Sequence, residues 1–169
     1  FRTELIEQHG GYRYGSFPED YELWLRWMDA GVRMAKIDAP VVIWNDPPQR
    51  LSRTDERYAV DAFYRCKAEY LARWLKKKTG ATLPRIAVWG AGRTTRKRAE
   101  FLCDFGVEIG AYIDIDPRKL GQTIHGRPVL GEEELEGLDT DFLVSFVGSR
   151  GAREDIRQRL TARGFIEGR

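Results

Sequence analysis

Adjacent carboxylates at Glu19 and Asp20 stand where a glycine-rich run, His9-Gly-Gly-Tyr-Arg-Tyr-Gly15, passes through Ser16-Phe-Pro18 into the aromatic segment Tyr21-Glu-Leu-Trp-Leu-Arg26. A carboxylate fixed at a helix start beside a mobile loop suits a general base, because proton transfer needs a group within hydrogen-bond reach of the reacting hydroxyl. Ser16-Phe-Pro-Glu19 also fits the Ser-x-x-Glu capping box, which accounts for Glu19 without any chemistry. It leaves Asp20 unexplained beyond the general preference for acids in a first helical turn.

A second candidate lies at Gly90-Ala-Gly92, between an apolar run and a helical pattern. That is the setting of a dinucleotide fingerprint, in which small residues let a phosphate reach backbone amides at a helix N-terminus. The third glycine of the fingerprint is replaced by Thr95, and Arg93, Thr94, Thr95 and Arg96 offer hydroxyls and cations for phosphate instead. Asp114, at the end of the next strand pattern, occupies the position from which an acid binds ribose hydroxyls. A bare Gly-x-Gly is equally well read as a tight strand-to-helix turn without a ligand. His125, in an Ile-His-Gly loop, reads as a surface residue.

The elements that must position these residues follow from periodicity. Residues 16–30 read as a helix with Tyr21, Trp24, Leu25 and Met28 on its apolar face, which makes Trp24 core rather than a sugar-stacking platform. Glu22, Arg26 and Asp29 fall on the wet face, and Gly31 is the C-cap. Residues 32–44 read as extended structure bent at Pro40, and Asn45-Asp-Pro-Pro48 as a turn. Thr54 or Asp55 can cap a long helix to about Lys78, with Ala59, Ala62, Phe63, Cys66, Tyr70 and Trp74 as its stripe. Residues 79–84 read as a linker between a domain over 1–78 and another over 85–169.

In the second domain, 85–90, 107–115 and 142–147 read as strands. They alternate with helices at 93–105, 132–135 and 152–163. Such alternation predicts an α/β fold with a small, Rossmann-like parallel sheet covered by helices.

Composition narrows the function classes. Of the 169 residues 42% are hydrophobic and 12% aromatic, ample for packed cores. The formal net charge is +2, from 28 basic and 26 acidic residues interleaved along the chain, so nucleic-acid binding has no electrostatic support. Cys66 and Cys103 are too far apart in sequence for a metal clip or a disulfide framework, which favours a reducing, cytosolic setting. No apolar run approaches the ~20 residues of a bilayer span. The chain reads as part of a longer protein: it opens on Phe1 and closes on Ile166-Glu-Gly-Arg169, taken as native sequence although it coincides with a protease recognition sequence.

Two resemblances sharpen these readings. Gly10-Gly-Tyr12, Glu19-Asp-Tyr-Glu-Leu-Trp24, Ala30-Gly31 and Arg50-Leu-Ser-Arg-Thr-Asp55 preserve the order and spacing of the Glu-Asp motif region of inverting, family 2 glycosyltransferases of the GT-A type. That resemblance covers about the first 70 residues. It implies that 1–78 is the C-terminal portion of such a domain, with Asp20 as the base and Glu19 supporting it. Arg50 and Arg53 then lie near the donor phosphates, by charge-assisted hydrogen bonds. Their plain alternative is a solvated loop.

The resemblance also implies a nucleotide-sugar donor, a carbohydrate or other hydroxyl acceptor, and a divalent Mg or Mn ion. The setting it implies is surface-polysaccharide assembly in the cytoplasm, at the inner face of the membrane. In that family the donor-binding half and its Asp-x-Asp metal motif precede the Glu-Asp pair, and none of that half is read here. Asp114-Ile-Asp116 follows the pair and is therefore set aside as the transferase metal site. These residues alone are expected to transfer no sugar.

The second resemblance is carried by Ala111-Tyr-Ile-Asp-Ile-Asp-Pro117 and Gly121-x-x-Ile-x-Gly-Arg-Pro-Val-Leu-Gly131. These are similar to the Rossmann-like N-terminal domain of bacterial sugar O-acyltransferases, which accepts a UDP-linked sugar. The alternative function is thus a nucleotide or nucleotide-sugar binding module, or an accessory domain without catalysis, with oligomer formation left open.

Overall fold

A computed structural model describes residues 2–43 and 50–168. The turn expected at Asn45–Pro48, and Trp44 at the end of the extended segment, lie outside the described residues. The chain divides into two compact units, Phe1–Lys78 and Thr79–Arg169. The segment expected to link them groups with the second unit, where Pro84 is buried and its carbonyl accepts the Glu108 N–H at 2.8 Å.

The first unit is helical among its described residues: α1 Glu4–His9, α2 Glu19–Asp29, α3 Leu51–Thr54 and α4 Val60–Thr79. Helix α2 starts immediately after Pro18, whose extended backbone and carbonyl launch the first turn. Ser16 therefore lies outside the helix and the expected Ser16–Glu19 capping box does not form. The other end follows the glycine signal. Gly31, at φ +85°, donates to Met28 O and Val32 donates to Trp27 O, the paired bonds of a left-handed helix stop.

The buried face of α2 is not the expected one. Leu23 and Trp27 are buried at 1% exposure each, Glu22 and Arg26 are buried with them, and Trp24 and Met28 stand 44% and 59% exposed. Periodicity assigns the charges to water, but Glu22 and Arg26 find partners that offset the cost of desolvating them. Tyr21 packs on Phe63 of α4 with ring centroids 5.2 Å apart.

Helix α4 buries Cys66, Ala68, Tyr70, Ala72 and Leu75. It begins later than expected, because Asp55 caps a separate short turn, Glu56–Tyr58, by accepting the Arg57 N–H. Residues 32–43 form no strand, since among the described residues they meet no ladder partner. Val41, Val42 and Ile43 are correspondingly exposed.

The second unit is an α/β sheet in the order β3-β4-β2-β1-β5. Its strands are β1 Arg85–Trp89, β2 Glu108–Ile113, β3 Thr123–Ile124, β4 Arg127–Leu130 and β5 Phe142–Ser145. β1 pairs in parallel with both β2 and β5, and β2 with β4. Only β3 is antiparallel, joined to β4 by His125 and Gly126, both at positive φ. Two such residues make the tight turn that hairpin twist favours. Periodicity gives no sign of this hairpin because Pro128, which stands opposite Thr123, interrupts a short run; the next bond across the hairpin is the Val129 N–H to Gln122 O at 2.8 Å.

Helices α5 Arg93–Glu100 and α6 Ala152–Ala162 complete the unit. Strand alternation sends Ala87 and Trp89 to one face, where with Ile113, Leu135 and Ile156 they form a core.

Candidate functional site

Two helix starts carry the residues singled out by sequence, one in each unit. At the start of α2, Pro18 fixes the entry, so Glu19 and Asp20 occupy the first two helical positions and diverge. Glu19 turns toward Tyr58, whose hydroxyl donates to it at 2.6 Å. That bond holds the Glu19 carboxyl below its ordinary value and pushes the Tyr58 phenol up to about 12. Asp20 is exposed, and among the described residues its carboxylate accepts only the neighbouring Tyr21 N–H, at 2.7 Å. Asp20 thus keeps acceptor capacity toward solvent, whereas Glu19 is engaged from within.

One turn further on, Glu22 and Arg26 form the buried pair that fixes the glycine-rich run. Arg26 Nε donates to Glu22 at 3.0 Å, and its guanidinium also reaches the carbonyls of His9, Gly10 and Gly11. Tyr70 of α4 donates to Glu22 at 2.6 Å. Burial disfavours the Glu22 charge, yet Arg26 and Tyr70 outweigh it and hold the carboxyl below its usual value. The loop before the acid pair is therefore pinned to the helix that bears it.

Arg50 is half-buried and Arg53 exposed, on either side of the α3 start. Close by in sequence, Asp55 takes the Arg57 guanidinium at 2.7–3.1 Å. A cleft of about 360 Å³ is lined by Ser16, Asp55, Glu56 and Arg57. Tyr58, Tyr70, Arg26 and Arg57 are not identifiable as site residues from sequence. The i,i+4 spacing of Glu22 and Arg26 is a signal for their pairing, but nothing local marks Tyr58 or Tyr70 as partners.

In the second unit, Gly90 follows β1 at φ +106°, and a Cβ there would lie 2.9 Å from Val147 and 3.0 Å from Thr95. Only glycine fits. Gly92 has extended backbone and open space where its Cβ would be. Arg93 and Thr94 are exposed at the start of α5, Thr95 is buried, and Arg96 Nε donates to Ala91 O at 2.9 Å.

Asp114 is only 7% exposed and accepts three bonds: from Ala91 N–H at 2.8 Å, Asp116 N–H at 2.9 Å and Lys119 Nζ at 2.9 Å. Burial pushes its carboxyl up, but these donors win and hold it low. Asp114 thus ties the β2 end to the glycine turn, a role that its ribose-binding expectation did not include. Asp116 is held to about 2 by Arg118. Among the described residues no three His, Cys, Asp or Glu side chains gather to hold a metal ion.

Among the described residues no helix is long and apolar enough to cross a membrane. No curated protein and no solved structure matches the chain. The family model described as C2185-like, N-terminal, matches residues 82–169, spanning the whole sheet, and the chain belongs to that family.

Proposed function

We propose that the first unit is the acceptor-side portion of a family 2-like inverting glycosyltransferase that moves a sugar from a nucleotide-sugar donor to a hydroxyl acceptor in surface-polysaccharide assembly. The observation that carries this reading is the contrast within the acid pair: Asp20 is exposed with its carboxylate open to solvent, and Glu19 is held by Tyr58. In the proposed step Asp20 takes the proton of the acceptor hydroxyl as that oxygen attacks the anomeric carbon. The bond from that carbon to the donor phosphate breaks, and the nucleoside diphosphate leaves with the electron pair, so the configuration inverts. Arg50 and Arg53 would balance the phosphate charge.

The reading requires a donor-binding half and assigns the divalent metal to it. The test is Asp20→Asn in the intact protein, with turnover of nucleotide sugar as the measurement. Loss of a general base should lower kcat by about 10²–10⁴-fold while the fold is kept. Turnover like that of the wild type removes Asp20 from the mechanism.

A second reading, a nucleotide or nucleotide-sugar binding module, is favoured by one observation in the second unit. The Gly90–Gly92 turn lies at the C-terminal end of β1, where the chain's parallel neighbours fall on both sides, β2 and β5. Open α/β sheets bind ligands at such switch points.

A further inference from the structure

The bond between Tyr58 and Glu19 joins residues 39 apart in sequence. It ties the segment that bears Arg50 and Arg53 to the acidic start of α2. Asp55 stiffens that segment. It accepts the Arg57 N–H and, with both carboxylate oxygens, the Arg57 guanidinium. The guanidinium in turn lies 5.9 Å from the centroid of the Tyr58 ring. The cleft opens beside this contact, with Ser16 from the α2 approach on one wall and Asp55, Glu56 and Arg57 on the other. The phenol-to-carboxylate bond, strengthened by the acceptor's charge, thus joins the residue after Arg57 to the helix start that follows Ser16.

We propose that Tyr58 is a positioning residue: it fastens the arginine-bearing segment to the helix start that carries Asp20, so that the donor-phosphate end and the base end of one site are held together. The roles of those two ends rest on the glycosyl-transfer reading, whereas the fastening does not. Tyrosine is needed for its hydroxyl. Phenylalanine keeps the ring and its contact with Arg57 but removes the bond, so Tyr58→Phe is a conservative probe that leaves the helices intact.

The experiment combines Tyr58→Phe, Glu19→Gln and the double variant. In the 169-residue chain, amide hydrogen exchange should rise about tenfold at residues 50–58 and in the first turn of α2, and stay unchanged in the rest of α4 and in the second unit. The Glu19 carboxyl, followed by NMR, should titrate at higher pH in Tyr58→Phe. In the intact protein Tyr58→Phe should raise the donor KM about tenfold and lower kcat with the acceptor KM unchanged. The double variant should be no worse than the worse single, because the two residues share one bond.

Strictly additive exchange effects overturn the fastening whatever the reaction. Coupled exchange with unchanged kinetics overturns the positioning role. Coupled exchange in a wild-type intact protein that transfers no sugar sinks the glycosyl-transfer reading and reduces Tyr58 to a structural tie.

Discussion

Asp20 and Asp114 sit at equivalent-looking places, each beside a glycine-rich turn and a helix start, yet they are held in opposite ways. Asp114 is buried and accepts three internal hydrogen bonds, whereas Asp20 is exposed and accepts one from its own neighbour. The difference lies in what surrounds them. In the second unit the acid closes a turn between parallel strands, and its charge is used up in that closure. In the first unit that closing work falls to Glu22 and Arg26, one turn further along α2, and the Asp20 carboxylate stays exposed to solvent. An acid beside a glycine turn is therefore a candidate for chemistry only when another group secures the turn.

The strongest way to break this comparison is to remove the group that secures the first turn. Arg26→Ala leaves the buried Glu22 charge with only the Tyr70 hydroxyl and the more distant Arg13, and takes the guanidinium away from the carbonyls of His9, Gly10 and Gly11. Breaking a buried pair by deleting one partner costs about 3–5 kcal/mol. Urea unfolding of the chain should show that loss in the first-unit transition, and a cost under about 1 kcal/mol would mean that the pair does not anchor the loop. The pH dependence gives the sign independently. The Glu22 carboxyl is held below its ordinary value in the folded state. Its stabilisation is therefore complete above the unfolded value of about 4.5 and is lost as pH falls through the lower, folded one.

The second test exchanges the two aspartates directly. Asp114→Asn removes the charge that Lys119 pairs with and turns one accepting oxygen into a donor facing N–H groups. The second unit should lose about 2–3 kcal/mol. Asp20→Asn, on an exposed carboxylate, should change stability by less than about 0.5 kcal/mol. Thermal melts of both variants decide it, and equal costs would erase the distinction between the two acids.

How far the sequence foretold this arrangement follows the range of the interactions. Helix α4, the Gly31 stop and the strands β1, β2 and β5 were legible because each is specified by a local run or a local breaker. The face of α2 was not, because the partners that bury Glu22 and Arg26 come from residues 9–11 and from Tyr70, 48 positions beyond Glu22. The β3–β4 hairpin was too short and too broken by Pro128 to announce itself. At the candidate site, the placement of Glu19 and Asp20 at a helix start was legible, and so was the glycine turn. The separate fates of the two acids were not, since Tyr58 reaches Glu19 only through the tertiary fold.

The smallest effect expected concerns Gly92 and separates a bare turn from a ligand site. Gly90 cannot be substituted without a clash, but Gly92 has φ −65° and nothing within 4 Å of the point where an added methyl would stand. Alanine there restricts the unfolded chain, which stabilises by about 0.4–1 kcal/mol. It is also a poorer N-cap than glycine by a similar amount. The two effects offset, so Gly92→Ala should leave the melting temperature almost unchanged. If the open space over Gly92 is where a phosphate approaches the α5 amides, the same methyl obstructs it. Calorimetric titration with UDP should then show binding to the wild type and at least a roughly tenfold loss in Gly92→Ala. Equal affinity in the two proteins places the ligand elsewhere, and no heat with either leaves Gly90-Ala-Gly92 as a turn whose work is finished once β1 meets α5.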